Sequence, residues 1–385
     1  METFPRTIFD DVHQQFRSTF RSWLDNEVVP HHEEWEKAGI TPRELWLNAG
    51  KQGFLGLNVP AAYGGGDTDD YHFAAIMAEE IGTTGVIGSA NGITLHNDIV
   101  LPYFLGLAND EQRSRFLPGM VTGEVIGALG ITEPNTGSDV AGIRTTGLKK
   151  GGAFIVNGAK TFISNGINSD VVIVVCRTDP EKGHRGISLL LVERGMKGFE
   201  RGRNLNKLGM HAQDTAELFF SDVEVPAENV LGEEGNGFVY LMTNLAQERL
   251  GIAVGAVAVA DAALHWTLDY TKERKAFGQS ISQFQNSKFL LAELATEVQI
   301  AQVYVDRCVE LHCAGELSAE QAAAAKFWTT ELQNKVVDRC LQLHGGYGYM
   351  MEYPIARAWA DSRIQTIYGG TTEIMKEIVG RSITK

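Results

Sequence analysis

The chain has 385 residues, with 34 Lys+Arg against 48 Asp+Glu and a formal charge of −14. Its length exceeds what one core ordinarily supports and predicts two or three domains, while 44% hydrophobic and 21% charged residues exclude a disordered or fibrous chain. The acidic balance argues against nucleic acid as a partner, so any polyanionic ligand must be held locally by a few Arg and Lys residues, helix N-termini and glycine-exposed amides. Residues 1–125 read as a helical domain. Phe16, Phe20, Trp23 and Leu24 recur at helical spacing, followed by Trp35 and then Leu45, Trp46 and Leu47. Thr41-Pro42-Arg43-Glu44 has the pattern of a helix start, with Thr41 as N-cap and Pro42 as the first residue. A further helix is predicted from about Tyr71 to Gly82.

The texture changes over 126–236. Ala153–Val156, Lys160–Ser164, Val171–Cys176, Ile187–Val192 and Thr215–Phe220 are short, rich in β-branched and aromatic residues, and bounded by Gly, Asn and Asp. No amphipathic helix separates them, which predicts a central antiparallel β-domain in an α+β chain rather than a βαβ sheet. In keeping with this, neither G-x-G-x-x-G nor G-x-x-x-x-G-K-[ST] occurs. Over 237–385 long helical patterns return, at Leu241–Tyr270, Gln285–Cys313 and Ala319–Leu343, with a last helix starting near Thr371.

The cysteines, Cys176, Cys308, Cys313 and Cys340, form no C-x-x-C pair and predict free thiols in a reducing compartment. The N-terminal residues lack an apolar signal core, and the stretch Leu250–Ala260 is too short to cross a bilayer. A cytoplasmic protein without membrane association is expected. His31 and His32 beside Glu33 lack a second ligand cluster, so a wet helix face is expected there and no metal site.

Five segments have the composition of ligand loops, and each also has a plain structural reading. Gly130-Ile-Thr-Glu-Pro-Asn-Thr-Gly-Ser-Asp139 offers hydroxyls and bare backbone, or is simply a turn leaving a strand. Lys160-Thr-Phe-Ile-Ser-Asn-Gly166 places Phe162 and Ser164 on one side of a strand by alternation, although a lone Phe is more often core. Gln342-Leu-His-Gly-Gly-Tyr-Gly-Tyr349 ends a long helix in glycines that bare the backbone or merely stop the helix. Glu273-Arg-Lys-Ala-Phe-Gly278 is a basic helix end. Ile367-Tyr-Gly-Gly-Thr-Thr-Glu-Ile374 feeds a helix N-terminus, which suits an anion.

Their joint order resembles the acyl-CoA dehydrogenase family over essentially the whole chain. The T-E-P-x-x-G-S-D signature stands at Thr132–Asp139, with Thr136 where a smaller residue is usual. The second signature stands at Gln342, Gly345, Gly346, Gly348, Tyr349, Glu352, Arg357 and Asp361, and the K-x-F-I-[ST]-N-G and E-R-x-x-F-G segments fall between. The resemblance implies an N-terminal helical domain, a central β-domain and a C-terminal four-helix bundle. It implies FAD-dependent oxidation of an acyl-CoA to the trans-2-enoyl-CoA in fatty acid β-oxidation, with electrons passed to electron-transfer flavoprotein, in a homotetramer built as a dimer of dimers. By motif, Leu129, Thr132, Phe162 and Ser164 would meet the flavin. Arg274, Phe277, Gln285, Gln342 and Gly346 would meet its diphosphate and adenosine end, some from a partner subunit, and Thr371 and Glu373 would close over the cofactor.

In most of this family the base is the Glu of a Y-E-G-T turn, whereas here the turn reads Tyr368-Gly369-Gly370-Thr371. Members resembling long-chain and isovaleryl-CoA dehydrogenases carry the base on the first C-terminal helix, where this chain has Glu248. The resemblance therefore implies Glu248 as base and the Gly369 backbone N–H as a donor to the thioester carbonyl. Arg249 is expected to face the CoA portion, with Ser138, Tyr368 and Gly370 as further substrate contacts. A lone glutamate on an apolar helix is ordinarily solvated. An acyl-CoA oxidase, or a catalytically silent FAD- and acyl-CoA-binding protein of the same fold, are the rival readings. Segments such as Lys207–Leu218 point to the long-chain branch.

Overall fold

The computed structural model describes residues 4–384. The first block is helical: α1 (Asp11–Trp23), α2 (His32–Ala38), α3 (Arg43–Lys51), α4 (His72–Thr84), α5 (Ile87–Thr94), α6 (Leu101–Leu107) and α7 (Asp110–Thr122). Helix α1 opens on a capping box in which Asp10 accepts from the His13 N–H and the His13 ring accepts from the Asp10 N–H. At α3 the expected cap is corrected. Pro42, in extended conformation, is the N-cap, and no side chain caps the helix, since proline has no side-chain acceptor; the preceding Thr41 carbonyl accepts from Asn168 Nδ2 at 3.0 Å. His32 is also corrected: it is buried, with its Nδ1 2.8 Å from the Ser89 hydroxyl. Two π-helical turns interrupt the block, Leu24–Val28 and Leu95–Val100. The second lies between α5 and α6, against the C-terminal block.

The seven strands β1 (Gly127–Gly130), β2 (Thr146–Lys150), β3 (Ala153–Ser164), β4 (Val171–Arg177), β5 (Ile187–Glu193), β6 (Phe199–Asn204) and β7 (Thr215–Pro226) form one sheet. Most pairs are antiparallel, but β1 runs parallel to β4, with Gly127 opposite Val171. β1, β2 and β6 carry few β-branched or aromatic residues and had no sequence signal. β4 and β5 are buried on both faces. Val171, Ile173 and Val175 join one core with Phe104 and Leu117, while Val172, Val174 and Cys176 join another with Phe154 and Phe220. Period-two alternation thus splits one apolar run between two layers.

The C-terminal block contains α8 (Gly237–Glu273), the short β8 (Lys275–Ala276) and β9 (Gln279–Ser280), α9 (Gln285–Cys313), α10 (Ala319–His344), α11 (Pro354–Ser362) and α12 (Thr372–Ile383). It holds three long helices and two short ones. The apolar stretch of α8 is longer than Leu250–Ala260: the helix has the length and composition of a membrane span, yet 67% of its most apolar window is buried within the protein. Val254, Val257 and Leu264 pack with Leu294, Val298 and Val336, which makes α8 a core helix. Its small residues let α4 and α10 lie close on either side.

Candidate active site

Glu248 sits inside α8 and is 8% exposed, against the solvated position expected for a lone glutamate. Burial pushes its carboxyl up to about 7, opposed by a hydrogen bond from Tyr103 and by the charge of Arg249. The Tyr103 hydroxyl donates to Glu248 Oε1 across 3.3 Å. Tyr103 is fully buried on α6, and sequence reasoning missed it. The available signal was a phenol inside the apolar run Leu101–Leu107, since a buried Tyr hydroxyl must find a partner.

The Tyr368–Thr371 turn lies beside this helix. Gly369 and Gly370 have φ of +65° and +106°, a region open mainly to glycine. A Cβ on Gly369 would stand 2.5 Å from Ile252 Cδ1, one helical turn beyond Glu248. Arg249 is the residue expected to face the CoA portion. It is buried, and its Nε donates to the Gly369 carbonyl at 3.3 Å. Lys326, fully buried on α10, donates to the Gly370 carbonyl at 2.7 Å, and burial together with the nearby Arg249 charge draws its pKa down to about 8. Two cations thus hold consecutive carbonyls of the turn inward. Because the peptide is planar and trans, the amide sharing each plane points the opposite way. No sequence pattern pointed to Lys326. Tyr368 is half-buried, and burial raises its phenol pKa. Thr371 N-caps α12, accepting from the Ile374 N–H at 3.4 Å, and Glu373 is exposed in that helix's first turn.

A second group surrounds the end of β1 and of β3. The Thr132 carbonyl accepts from the Thr161 N–H at 2.9 Å, which leaves its hydroxyl and N–H for other partners. Leu129 is half-buried on β1. Glu133 is occupied structurally: it accepts from the Arg144 and Thr145 N–H groups and pairs with the fully buried Lys160 at 2.8 Å, whose ammonium also donates to the Ile131 carbonyl. This clamp fixes the loop carrying Thr132 and the exposed Ser138. The alternation expected for Phe162 and Ser164 is modified by a bulge between Lys160 and Ile163. Phe162 takes φ +59° and is 68% exposed, and Ser164 is half-buried.

Arg274, Gln342 and Gly346 line one cleft of about 680 Å³, together with Tyr270 and Tyr347. The guanidinium lies 5.6 Å over the Tyr347 ring, and nothing stands within 4 Å of where a Cβ would be on Gly345 or Gly346. A guanidinium facing bare backbone amides suits a diphosphate, and the aromatic walls suit a purine. Phe277 is 97% exposed and packs edge-on against Phe284, next to the exposed Gln285 at the start of α9. Glu248 and Arg274 are separated by 26 positions along one continuous helix, roughly 39 Å at 1.5 Å per residue. A single protomer therefore brings together Glu248, Arg249, Gly369 and Gly370 in the N-terminal half of α8, and separately Arg274, Gln342 and Gly346 at its C-terminal end.

Comparison with known proteins finds matches along the whole chain. The N-terminal, middle and C-terminal domains of acyl-CoA dehydrogenases match residues 10–124, 128–223 and 235–384. The long-chain specific acyl-CoA dehydrogenase of Sus scrofa mitochondria is 51% identical over 380 residues, 98% of this chain and 88% of that protein. Among solved structures, an acyl-CoA dehydrogenase from Geobacillus kaustophilus superposes with a TM-score of 0.97 at 48% identity, covering 99% of this chain and 100% of that one. Butyryl-CoA dehydrogenase from Megasphaera elsdenii superposes with a TM-score of 0.92 at 33% identity, covering 100% of both chains. With three consecutive domains matched and a relative this similar over nearly its full length, the chain belongs to the acyl-CoA dehydrogenase family.

Proposed function

We propose that Glu248 is the base with which this acyl-CoA dehydrogenase removes the α proton of its substrate. The observation that carries the reading is the pairing of a buried glutamate on α8 with glycine at position 369 of the turn, where most of the family has its carboxylate. Desolvation brings the Glu248 carboxyl to about 7, near the pH at which a general base works best, and Tyr103 stabilises its ionised form. The turn supplies backbone donors to the thioester carbonyl, the Gly369 N–H among them. Arg249 and Lys326 act as positioning residues for that turn. Ser138, Tyr368 and Gly370 are the further substrate contacts in this reading.

The residues present fit FAD. The Arg274 cleft has the donors for a diphosphate, and the half-buried Leu129, Thr132 and Ser164 around the exposed Phe162 would hold the ring, with Thr371 and Glu373 closing over it. When bound, FAD accepts the β hydrogen as hydride at N5. The 26 positions of helix between Glu248 and Arg274, roughly 39 Å, exceed the reach of one dinucleotide. Arg274, Phe277, Gln285, Gln342 and Gly346 therefore serve a cofactor held chiefly by a second copy, in a homotetramer built as a dimer of dimers. Electron-transfer flavoprotein is the acceptor, and the free thiols fit a reducing compartment, the cytoplasm in this reading.

The test is anaerobic reduction of the purified flavoprotein by straight and branched acyl-CoAs. Glu248→Gln should retain FAD and bind acyl-CoA without bleaching the flavin, and normal bleaching removes Glu248 as the base. Reoxidation that is fast with electron-transfer flavoprotein and slow with air separates a dehydrogenase from an oxidase.

A further inference from the structure

We propose that His13, Asp70, His72 and Cys313 form a structural zinc site that clamps the N-terminal helical block to the end of α9. The three residues His13, Asp70 and His72 present ligand atoms all within 4.8 Å of one another. His13 Nε2 is 2.8 Å from Asp70 Oδ2, His72 Nδ1 is 2.6 Å from Asp70 Oδ1, and Cys313 Sγ is 3.5 Å from His72 Nδ1. They come from α1, the segment before α4, the first turn of α4 and the last residue of α9. The reading of His31 and His32 that predicted no metal is thereby bypassed: a different set of residues, scattered over 301 positions, converges here.

The chemistry selects the ion. Two imidazoles, one carboxylate and one thiolate are the mixed borderline-soft set that suits tetrahedral Zn²⁺. With bonds of about 2.0–2.1 Å to nitrogen and 2.3 Å to sulfur, a tetrahedral ion separates N from S by about 3.5 Å, the His72–Cys313 spacing found. The two His–Asp separations need to open by roughly half an ångström, and Cys313, which lies outside the group mutually within 4.8 Å, must swing toward His13 and Asp70 to complete the tetrahedron. Coordination releases the Cys313 proton to solvent, and the thiolate supplies the electron pair of the new bond.

The surroundings are those of a metal ligand rather than of a wet surface histidine. His13 Nδ1, which accepts from the Asp10 N–H in the helix cap, also lies 2.8 Å from Asp10 Oδ1; when Nε2 ligates, the ring proton resides on Nδ1 and is donated to Asp10 Oδ1, the carboxylate–histidine arrangement found behind bound metals. Asp70 is held by the His72 N–H at 3.0 Å. Phe9 packs edge-on against both imidazoles, and Phe73 lies 4.9 Å from the His13 ring, which covers the imidazoles on that side while Asp70 stays open to solvent. Cys313 is the one exposed thiol among the four cysteines.

The experiment is zinc titration of chelator-stripped holoenzyme, followed by zinc-edge X-ray absorption. One equivalent per chain is expected, with N/O neighbours at about 2.0 Å and one sulfur at about 2.3 Å, together with a rise in thermal midpoint on loading. His72→Gln and Cys313→Ser should each weaken binding at least 10-fold. Asp10→Asn, which keeps the α1 cap, should weaken it roughly 10–100-fold through His13. Flavin content and far-UV circular dichroism check that each variant is folded, and Cys313→Ser, at an exposed position, keeps the test available if His72→Gln does not fold. Absence of stoichiometric binding, a first shell without sulfur, or unchanged affinity in Cys313→Ser overturns the proposal.

Discussion

Tyr103 and Glu248 meet across 3.3 Å between α6 and α8, a phenol from the first block donating to a carboxylate of the third. Both groups are buried, so the bond acts on an equilibrium that burial has already shifted: it favours the ionised carboxylate, while desolvation favours the neutral acid. Tyr103→Phe removes the donor and leaves only desolvation. The loss of one such bond, roughly 0.5–1.5 kcal/mol, raises the carboxyl pKa by up to about one unit. The pH profile of anaerobic flavin reduction should move to higher pH, with the rate reduced several-fold at pH 7 and recovered at pH 9. A uniform loss at all pH values would show Tyr103 to be merely structural.

The same shift sets a stability term with a definite sign. The Glu248 carboxyl titrates at about 7 when folded against 4.5 as the ordinary value. A raised acid pKa costs nothing below about 4.5, costs progressively more as pH rises, and reaches its full value above 7. That full value is on the order of 3 kcal/mol. Glu248→Gln should therefore be more resistant to thermal unfolding than the parent at pH 8 and indistinguishable from it at pH 4.5. Equal midpoints at pH 8 would mean that the carboxylate is better solvated than its burial indicates.

Gly369 shows where sequence reasoning met its limit. The sequence disclosed that the turn lacks its carboxylate and that α8 has one, and the order of motifs placed the helical, β and helical blocks. Period-two and helical spacing carried β4, β5, α9 and α10, because those segments bury apolar residues in register. Spacing does not carry contacts between distant segments. Tyr103 and Lys326 reach the site by packing across 145 and 44 positions, Arg249 turns inward to a carbonyl, and the His13 cluster depends on three helices meeting. Weak strands such as Gly127–Gly130 are held by their neighbours, not by propensity.

Restoring a carboxylate to the turn is consequently harder than the sequence suggests. A side chain at 369 must accept φ +65°, at a cost of about 1 kcal/mol or more, and must displace Ile252 Cδ1 from 2.5 Å. Glu248→Gln/Gly369→Glu should regain little turnover, and adding Ile252→Ala should raise it at least several-fold by opening that space. Equal turnover in the double and triple variants would place the obstruction elsewhere.

The separation of Glu248 from Arg274 along α8 predicts complementation between subunits. Arg274→Ala alone should lower FAD affinity by roughly 10–100-fold, the loss of one charge-assisted contact. Co-expressed Glu248→Gln and Arg274→Ala chains should form mixed oligomers in which one site carries both native residues, contributed by different chains. Activity well above either homo-oligomer is expected. Its absence would place both residues at the same chain's cofactor.

Lys326 offers the sharpest check on the turn, because its ammonium touches no atom of the proposed base. Its Nζ holds the Gly370 carbonyl at 2.7 Å, and Lys326→Met leaves that carbonyl without its cation in a buried setting, at roughly 1–3 kcal/mol. The Gly370 carbonyl shares its plane with the Thr371 N–H, so Lys326 acts on the Gly369 N–H through the conformation of the whole turn; if that turn fixes the donors that polarise the thioester, the penalty falls on the transition state, and kcat should drop by 10-fold or more with little change in KM and full FAD content. A change confined to KM would assign Lys326 to substrate binding, and a loss of FAD would assign it to the cofactor. The α-proton exchange of a substrate analogue that cannot lose hydride isolates the step, since it depends on Glu248 and on carbonyl polarisation alone. Exchange slowed in parallel with kcat in Lys326→Met, while the pH profile set by Glu248 stays in place, is the outcome that ties this lysine to the geometry of the Gly369–Gly370 turn.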